Sequence, residues 1–386
     1  MQQPSFSVVL IARNEEKKLP HLLASLKPFQ ERGGQIVLVD TGSTDQTARV
    51  ARDAGCTVYE ESDRFVHVIT EQEAQKINRH FIAEGEAPAV EAGRRIFDFA
   101  AARNYATTLS PTDWVATPDC DEVYTRLDLD AIEPLLHGKA NQLCYHFVFA
   151  HDAQGRPTIE FDHAKFYNRT ALRWEGVIHE VLVGAAEPRR TDAVLLEHYQ
   201  NEETNRGGYL TGLAWDCWLH PEKDRNSHYL GREFFYTGRY RGAIKELTRH
   251  LGMGGWVAER GQSAYYIAQC YMQLGERNKA VRWYATAYDI EPGRREPLMA
   301  LAELYYREGR HSAAAAFAQA ALTLPGIGFY GDYRPYYTYM PHEILYWALW
   351  YLGRKTEAAE HWRKCLELYP ENPKYALDAK FFTIAA

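Results

Sequence analysis

Four glycines, Gly238, Gly275, Gly309 and Gly353, are each followed five positions later by an alanine: Ala243, Ala280, Ala314 and Ala358. Glycine supplies the turn between two helices, and a small residue at a fixed offset lets those helices approach closely. The second half of the chain therefore reads as a stack of helical hairpins. Gly275 and Gly309 lie 34 residues apart, the period of a helix–turn–helix repeat, and prolines close three units at Pro292, Pro325 and Pro370. The first interval is 37 residues and the last 44, with the excess falling between Pro325 and Pro341 in a stretch rich in Tyr and Gly. Such a hairpin buries its apolar face only against its neighbours, so residues 226–386 are expected to form one coupled all-α solenoid.

Residues 1–225 follow another rhythm. Phe6–Ala12 is a near-continuous apolar run, and Leu19, Leu22, Leu23 and Leu26 follow it at helical spacing. Ile36–Val39 repeats the run, Thr44 or Asp45 can cap a helix that ends near Gly55, and Thr57–Tyr59 and Asp113–Thr117 supply two more strands. Alternating strand and helix predicts crossover units and a mostly parallel, Rossmann-like sheet. A partly helical insertion at 63–97 interrupts the pattern.

The 386 residues leave room for both domains, and a formal charge of −7 provides no global basic field for nucleic acid. The six cysteines are scattered, which fits reduced thiols better than a disulfide framework or a zinc cage. Met1–Pro4 does not open a signal peptide, and no apolar run approaches membrane-spanning length, so a cytoplasmic protein is expected.

Ligands of a parallel α/β sheet bind at the carboxyl ends of its strands. There the sequence places Ala12-Arg-Asn-Glu-Glu16, Asp40-Thr-Gly-Ser-Thr-Asp45 and Asp119-Cys-Asp-Glu122. Asp119 and Asp121, two residues apart in a turn, suit a hard divalent cation, Mg²⁺ or Mn²⁺, that bridges a diphosphate. Cys120 between them reads as a small residue filling the turn. Ser43, Thr44 or Asp45 suffices as a helix cap, which leaves Asp40 free to bond a nucleobase. Neither a G-x-G-x-x-G loop nor a P-loop lysine follows the first strand, and this argues against hydride transfer and P-loop chemistry.

Together with Ala102-Arg-Asn104 and Trp174-Glu-Gly-Val-Ile-His-Glu180, these segments resemble family 2 glycosyltransferases of the GT-A fold over about residues 5–200. The second half resembles tetratricopeptide repeats. The resemblance implies an inverting, metal-dependent transfer from a nucleotide-sugar, a UDP-sugar by family default. It implies that Arg13, Glu15 and Asp40 line the nucleotide pocket, with Arg103 approaching the nucleotide or diphosphate. Asp119 and Asp121 would hold ribose and metal, and His179 would be a further metal ligand. A general base must be a carboxylate or imidazole near the acceptor; Glu180 is the first candidate and Asp162 the second. The acceptor classes are a protein or peptide, a glycan, a small molecule or a modified nucleobase. Two departures stand out: Pro118 directly before the acid pair, and the long insertion. The rival readings are a nucleotidyltransferase, and an inactive transferase-like domain on a repeat scaffold that binds proteins. Tyr330, Tyr333, Tyr336, Tyr337 and Tyr339 crowd the last insertion, so that segment is expected to contact a partner, either the acceptor or a second copy in a homodimer.

Overall fold

The computed structural model describes residues 3–152, 154–198, 208–326 and 328–382. It divides into two compact units, Met1–Pro221 and Glu222–Ala386.

In the first unit, β1 (Phe6–Ala12) leads through α1 (Leu19–Ser25) and α2 (Lys27–Glu31) to β2 (Gln35–Asp40), α3 (Thr47–Asp53) and β3 (Thr57–Glu60). The insertion forms β4 (Val66–Val68), α4 (Glu71–Phe81) and β5 (Arg95–Phe97). Then come α5 (Phe99–Thr108), β6 (Trp114–Ala116), β7 (Glu122–Leu127), α6 (Leu129–Leu136), β8 (Gln142–His151) and β9 (Pro157–Asn168). The unit closes with β10 (Leu172–Glu175), β11 (Val181–Gly184), β12 (Pro188–His198) and α7 (Tyr209–Leu219). Eight strands form one sheet in the order β3-β2-β1-β6-β9-β8-β12-β7. The β3-β2-β1-β6 half is parallel, as is the β12–β8 pair, while β9 and β7 run antiparallel to their neighbours.

Both faces of the parallel half are covered, which explains the unbroken apolar runs of β1 and β2. Phe6, Val8, Leu10, Ile36 and Leu38 pack on one face with Leu19, Leu22, Leu26 and Phe29. Val9, Val37 and Val39 pack on the other against Ala102 and Ala106 of α5. Because β2, β1 and β6 are parallel neighbours, the loops after Asp40, Ala12 and Ala116 leave from one edge.

The insertion is an ordered subdomain. Strands β4 and β5 pair antiparallel, and Thr70 and Glu73 form a capping box at the start of α4. His67 stacks on Trp215 of α7 at 4.5 Å, and the Trp215 indole N–H reaches Glu73 at 3.5 Å.

The second unit consists of α8 (Asp224–Tyr236), α9 (Tyr240–Met253), α10 (Val257–Gln273), α11 (Arg277–Ile290), α12 (Glu296–Arg307), α13 (His311–Leu322), α14 (Arg334–Tyr337), α15 (Met340–Tyr351), α16 (Lys355–Leu368) and α17 (Pro373–Phe382). Gly238, Gly275, Gly309 and Gly353 close the first helix of four hairpins with φ of 75°, 75°, 71° and 77°, a left-handed conformation that costs other residues more. Ala243, Ala280, Ala314 and Ala358 are wholly buried, as close approach of the paired helices requires.

The tyrosine-rich insertion departs from expectation. Tyr336 and Tyr337 donate their hydroxyls to Glu303 (2.9 Å) and Glu296 (2.8 Å), Tyr330 donates to Glu259 (3.0 Å), and Tyr339 packs on Tyr369. Most of the cluster thus satisfies carboxylates of earlier hairpins; Tyr333 keeps 40% of its surface exposed. Buried glutamates in the array need donors, and the insertion supplies them.

Two stability outcomes follow. Ala280→Trp should overpack a fully closed helix crossing and destabilise by about 1–3 kcal/mol or more in urea unfolding. The Glu73 carboxyl is pushed up by burial, but the Thr70 amide and hydroxyl and His67 outweigh this and bring it down to about 2, from an ordinary 4.5. A depressed carboxyl stabilises the fold fully above its unfolded value and loses that contribution as pH falls towards the folded value. The gap in thermal midpoint between wild type and Glu73→Gln should therefore be widest above about pH 5 and close towards pH 2.

Candidate active site

The loop after β1 and the loop after β2 are latched together before any ligand is considered. Asn14, in a left-handed conformation (φ 58°), donates its N–H to Ser43 Oγ at 2.9 Å and accepts the Thr44 N–H at 2.8 Å. Glu15 N–H donates to Thr47 Oγ1 at 2.7 Å, and the Gln46 N–H donates to Glu16 at 2.9 Å. Asp40 is buried at the end of β2, and its Oδ1 accepts the Gly42 (2.9 Å) and Ser43 (2.7 Å) N–H groups. One oxygen of Asp40 is therefore committed to shaping its own loop, where the sequence suggested a wholly free carboxylate. Asp45 accepts the Thr47 N–H at 3.0 Å, but α3 starts later than a Thr44 or Asp45 cap would place it: its N-cap is Gln46, which makes no side-chain cap hydrogen bond. Arg13 stands exposed beside this pair of loops.

The third loop brings the acid pair. Burial favours the uncharged Asp119, but Arg103 and Lys165 outweigh it and hold its carboxyl well below the ordinary range. Arg103 is buried on α5 beneath Trp174 (5.1 Å to the ring) and donates Nη2 to Asp119 and Nε to Glu180 at 2.6 Å. Lys165, on β9, donates to Asp119 and to Glu122 (2.7 Å). The result is a chain of alternating charge, Glu180–Arg103–Asp119–Lys165–Glu122. Burial first, and Asp119 in addition, push the Glu122 carboxyl up to about 7 against the pull of Lys165.

The Ala102-Arg-Asn104 segment now has a physical reading for each residue. Ala102 packs flat on the sheet, Arg103 joins two acids, and Asn104 exchanges two hydrogen bonds with the Trp174 backbone (2.8 and 2.9 Å). The Trp174–Glu180 loop is also held by Asp216 of α7, which accepts the Val177 N–H at 2.9 Å, and by Phe99, whose N–H donates to Val177 O at 3.0 Å.

Asp121 has different company. Its Oδ2 accepts Lys18 Nζ at 3.3 Å and lies 3.4 Å from His198 Nε2. Burial pushes this carboxyl up, and the His198 and Lys18 contacts bring it below the ordinary range in spite of nearby Asp119. His198 ends β12, stacks on Phe149 at 5.1 Å and turns Nδ1 to the Phe149 carbonyl at 3.1 Å. That bond leaves Nε2 directed at Asp121. Glu15 Oε2 is shut from solvent without a hydrogen bond, 3.7 Å from Lys18 Nζ.

The expected metal set is not assembled as such. Among the described residues no three His, Cys, Asp or Glu side chains stand close enough to share an ion. Asp119 has both oxygens engaged by cations, and His179 lies exposed at a left-handed position (φ 57°), 5.8 Å from the Tyr209 ring. Arg103 is likewise committed to two acids and does not reach outwards. Of the two base candidates, Glu180 joins the site network. Asp162 does not, because it is half exposed and paired with Arg190 (2.8 Å), which also holds Asp192. Lys165 and His198 went unread in the sequence. The one available signal was a polar residue within or ending an apolar strand, as in Phe161–Tyr167 and Val194–His198.

A mixed sheet whose parallel half carries an acid turn and two latched loops at one edge is an α/β domain with its polar loops gathered where such sheets bind ligands, here followed by helical repeats. Residues 7–83 match the glycosyl transferase family 2 model, and residues 262–294 match a tetratricopeptide repeat model. The chain carries a family 2 glycosyltransferase domain at its N-terminal end and tetratricopeptide repeats at its C-terminal end. It is similar to a TPR repeat-containing protein of Synechococcus elongatus, 24% identical over 83% of this chain and 66% of that protein. It is also similar to the 4,4'-diaponeurosporenoate glycosyltransferase of Staphylococcus aureus, 44% identical over 59 residues, which are 15% of this chain and 16% of the relative. The chain thus spans less than two thirds of either relative's length. Among solved structures, that of MamA overlaps 44% of this chain and 85% of its own, at 16% identity and a TM-score of 0.34. No helix among the described residues is long and apolar enough to cross a membrane.

The charge chain makes a stability test. Lys165→Met leaves the 3%-exposed Glu122 without a cation and facing Asp119, which keeps only Arg103, and should cost about 3–5 kcal/mol in urea unfolding. Adding Glu122→Gln should recover part of that loss.

Proposed function

We propose that the N-terminal domain transfers a sugar, with inversion, from a nucleotide-sugar bound at the edge formed by the loops after β1, β2 and β6. The observation that carries this reading is the meeting of Asp121 with Lys18 and His198, from three separate segments, beside loops that match family 2 glycosyltransferases. A UDP-sugar is the donor to test first.

The donor set around Asp121 fits a divalent cation. The Asp121 carboxylate is an ordinary ligand for Mn²⁺ or Mg²⁺, an imidazole whose Nδ1 is already tied to a carbonyl can join it on Mn²⁺, and Glu15 Oε2, with no hydrogen bond and with Lys18 Nζ 3.7 Å away, adds a second carboxylate nearby. Asp121 and His198 would hold the ion, and it would help to neutralise the departing diphosphate. The chain's own residues account for the rest. Arg103 holds Asp119 and Glu180 in register, so that the acid turn and the Trp174–Glu180 loop face one space. Lys18 lies between Glu15 and Asp121, near enough to either to move to a phosphate oxygen without leaving the site. Glu180 is the base that takes the acceptor's proton, since it alone of the two candidates belongs to this network.

Asp121→Asn and His198→Ala should each abolish hydrolysis of UDP-sugars and metal-dependent donor binding while the thermal midpoint stays near wild type. Glu180→Gln should keep donor binding and lower turnover by roughly 10²–10⁴, and Asp162→Asn should leave turnover unchanged. Calorimetry and a nucleotide-sugar hydrolysis panel read these outcomes. A wild-type chain that neither binds nor hydrolyses any member, with or without Mn²⁺, would make the domain an inactive module on a repeat scaffold.

A further inference from the structure

The loop that carries Glu180 is a tight turn with little freedom of its own. Gly176 (φ 106°) and His179 (φ 57°) both take left-handed backbone, and a Cβ on Gly176 would stand 3.4 Å from Glu180 Cα, so the turn folds back on itself. Where Glu180 sits therefore follows from where Val177 and Ile178 sit, and both are buried. The two polar backbone groups of Val177 are tied to different helices. Its N–H donates to Asp216 Oδ2 of α7 at 2.9 Å, and its carbonyl accepts the Phe99 N–H of α5 at 3.0 Å. Ile178 is held by shape instead. Its side chain fills a notch in α7 at Gly212, where an added Cβ would lie 2.2 Å from Ile178 Cδ1, 3.1 Å from Ile178 Cγ1 and 3.4 Å from Ile96 Cγ2 of β5.

Gly212 lies inside α7 and is not one of the glycines with left-handed φ. A glycine within a helix lowers its stability relative to alanine, because more backbone freedom is lost on folding, so local structure gives no reason for this one. The close approach of Ile178 gives the reason. On a neighbouring side α7 is braced by the insertion, where His67 stacks on Trp215 and Lys76 Nζ lies 6.0 Å from the Trp218 ring. The notch is thus cut into a helix that is itself fixed in place.

We propose that Gly212 is a positioning residue for Glu180: by admitting Ile178 it sets the Val177–Ile178 backbone, and with it the Glu180 carboxylate, at the place from which the acceptor's proton is taken. The inference rests on the reading of Glu180 as the base. A base displaced by about 1 Å can lose on the order of 10²-fold in rate, while a donor held by other loops binds as before.

The test follows hydrolysis of the UDP-sugar that the full chain cleaves fastest, with donor affinity read by calorimetry. Gly212→Ala should lower kcat roughly tenfold or more and leave the donor Kd within about twofold. Ile178→Val alone should stay near wild type. Combined with Gly212→Ala, it removes the Cδ1 atom that the new methyl group meets, and should restore most of the lost kcat. Ile178→Ala empties the notch without crowding it; it should also lower kcat at unchanged donor Kd, and it carries the test if Gly212→Ala does not fold. Glu180→Gln, run beside them, separates the two readings. Near-native kcat in Gly212→Ala, or in Ile178→Ala where Gly212→Ala does not fold, beside an impaired Glu180→Gln would overturn the positioning role and leave the base in place. A loss in Gly212→Ala that Ile178→Val does not restore, or that comes with an equal loss of donor affinity, would overturn it too, since either makes Gly212 a packing residue of α7. Near-native turnover in Glu180→Gln, or a wild type that cleaves no UDP-sugar, would remove the base reading and this inference with it.

Discussion

Arg103 lies under the Trp174 ring with a carboxylate on either side, and through it the loop that ends at Glu180 is tied to the turn that begins at Asp119. Burying a charge costs several kcal/mol per ion unless it is paired and its remaining donors are satisfied. The alternation Glu180–Arg103–Asp119–Lys165–Glu122 meets that condition across α5, β9, the acid turn and the Trp174–Glu180 loop. The chain holds one acid more than it holds bases. The excess falls on Glu122, whose carboxyl burial pushes up to about 7. Five side chains from separated segments thereby set where the edge of the sheet can present polar groups, and Asp121 is left outside the chain to face Lys18 and His198.

The supports beneath that edge are of a different kind. Asn14, Ser43, Thr44 and Thr47 knit two loops through backbone N–H groups, so the nucleotide side of the site is shaped by short polar residues rather than by charge. The Trp174–Glu180 loop is held from beneath by Asp216 and Phe99. Small residues at its contacts matter as well: a Cβ on Gly212 of α7 would lie 2.2 Å from Ile178. The insertion at 63–97, which has no residue in the charge chain, packs on the same α7 through His67, Glu73 and Trp215.

In the repeat unit the recurrent device is a tyrosine hydroxyl on a carboxylate of another helix. Tyr336 meets Glu303, Tyr337 meets Glu296, Tyr346 meets Asp378 and Tyr375 meets Glu343, all between 2.7 and 2.9 Å. A buried acid must find a donor or remain uncharged, and tyrosine delivers one from the end of an apolar ring. This accounts for most of the tyrosines in the last insertion, which a surface-binding reading had assigned to a partner.

What the sequence determined by itself was whatever depends on local period and on residues with one steric role. The glycines with left-handed φ, the alanines at the helix crossings and the two-sided apolar strands were legible because each is required by geometry within a few residues of chain. So was the convergence of three polar loops, since parallel strands must end on the same edge. Which carboxylate meets which cation was decided by the tertiary structure alone. Lys165 lies 46 residues from Asp119, His198 lies 77 from Asp121 and Glu180 lies 77 from Arg103. Such pairings are chosen by distance and desolvation in the folded chain, and no spacing in the sequence encodes them.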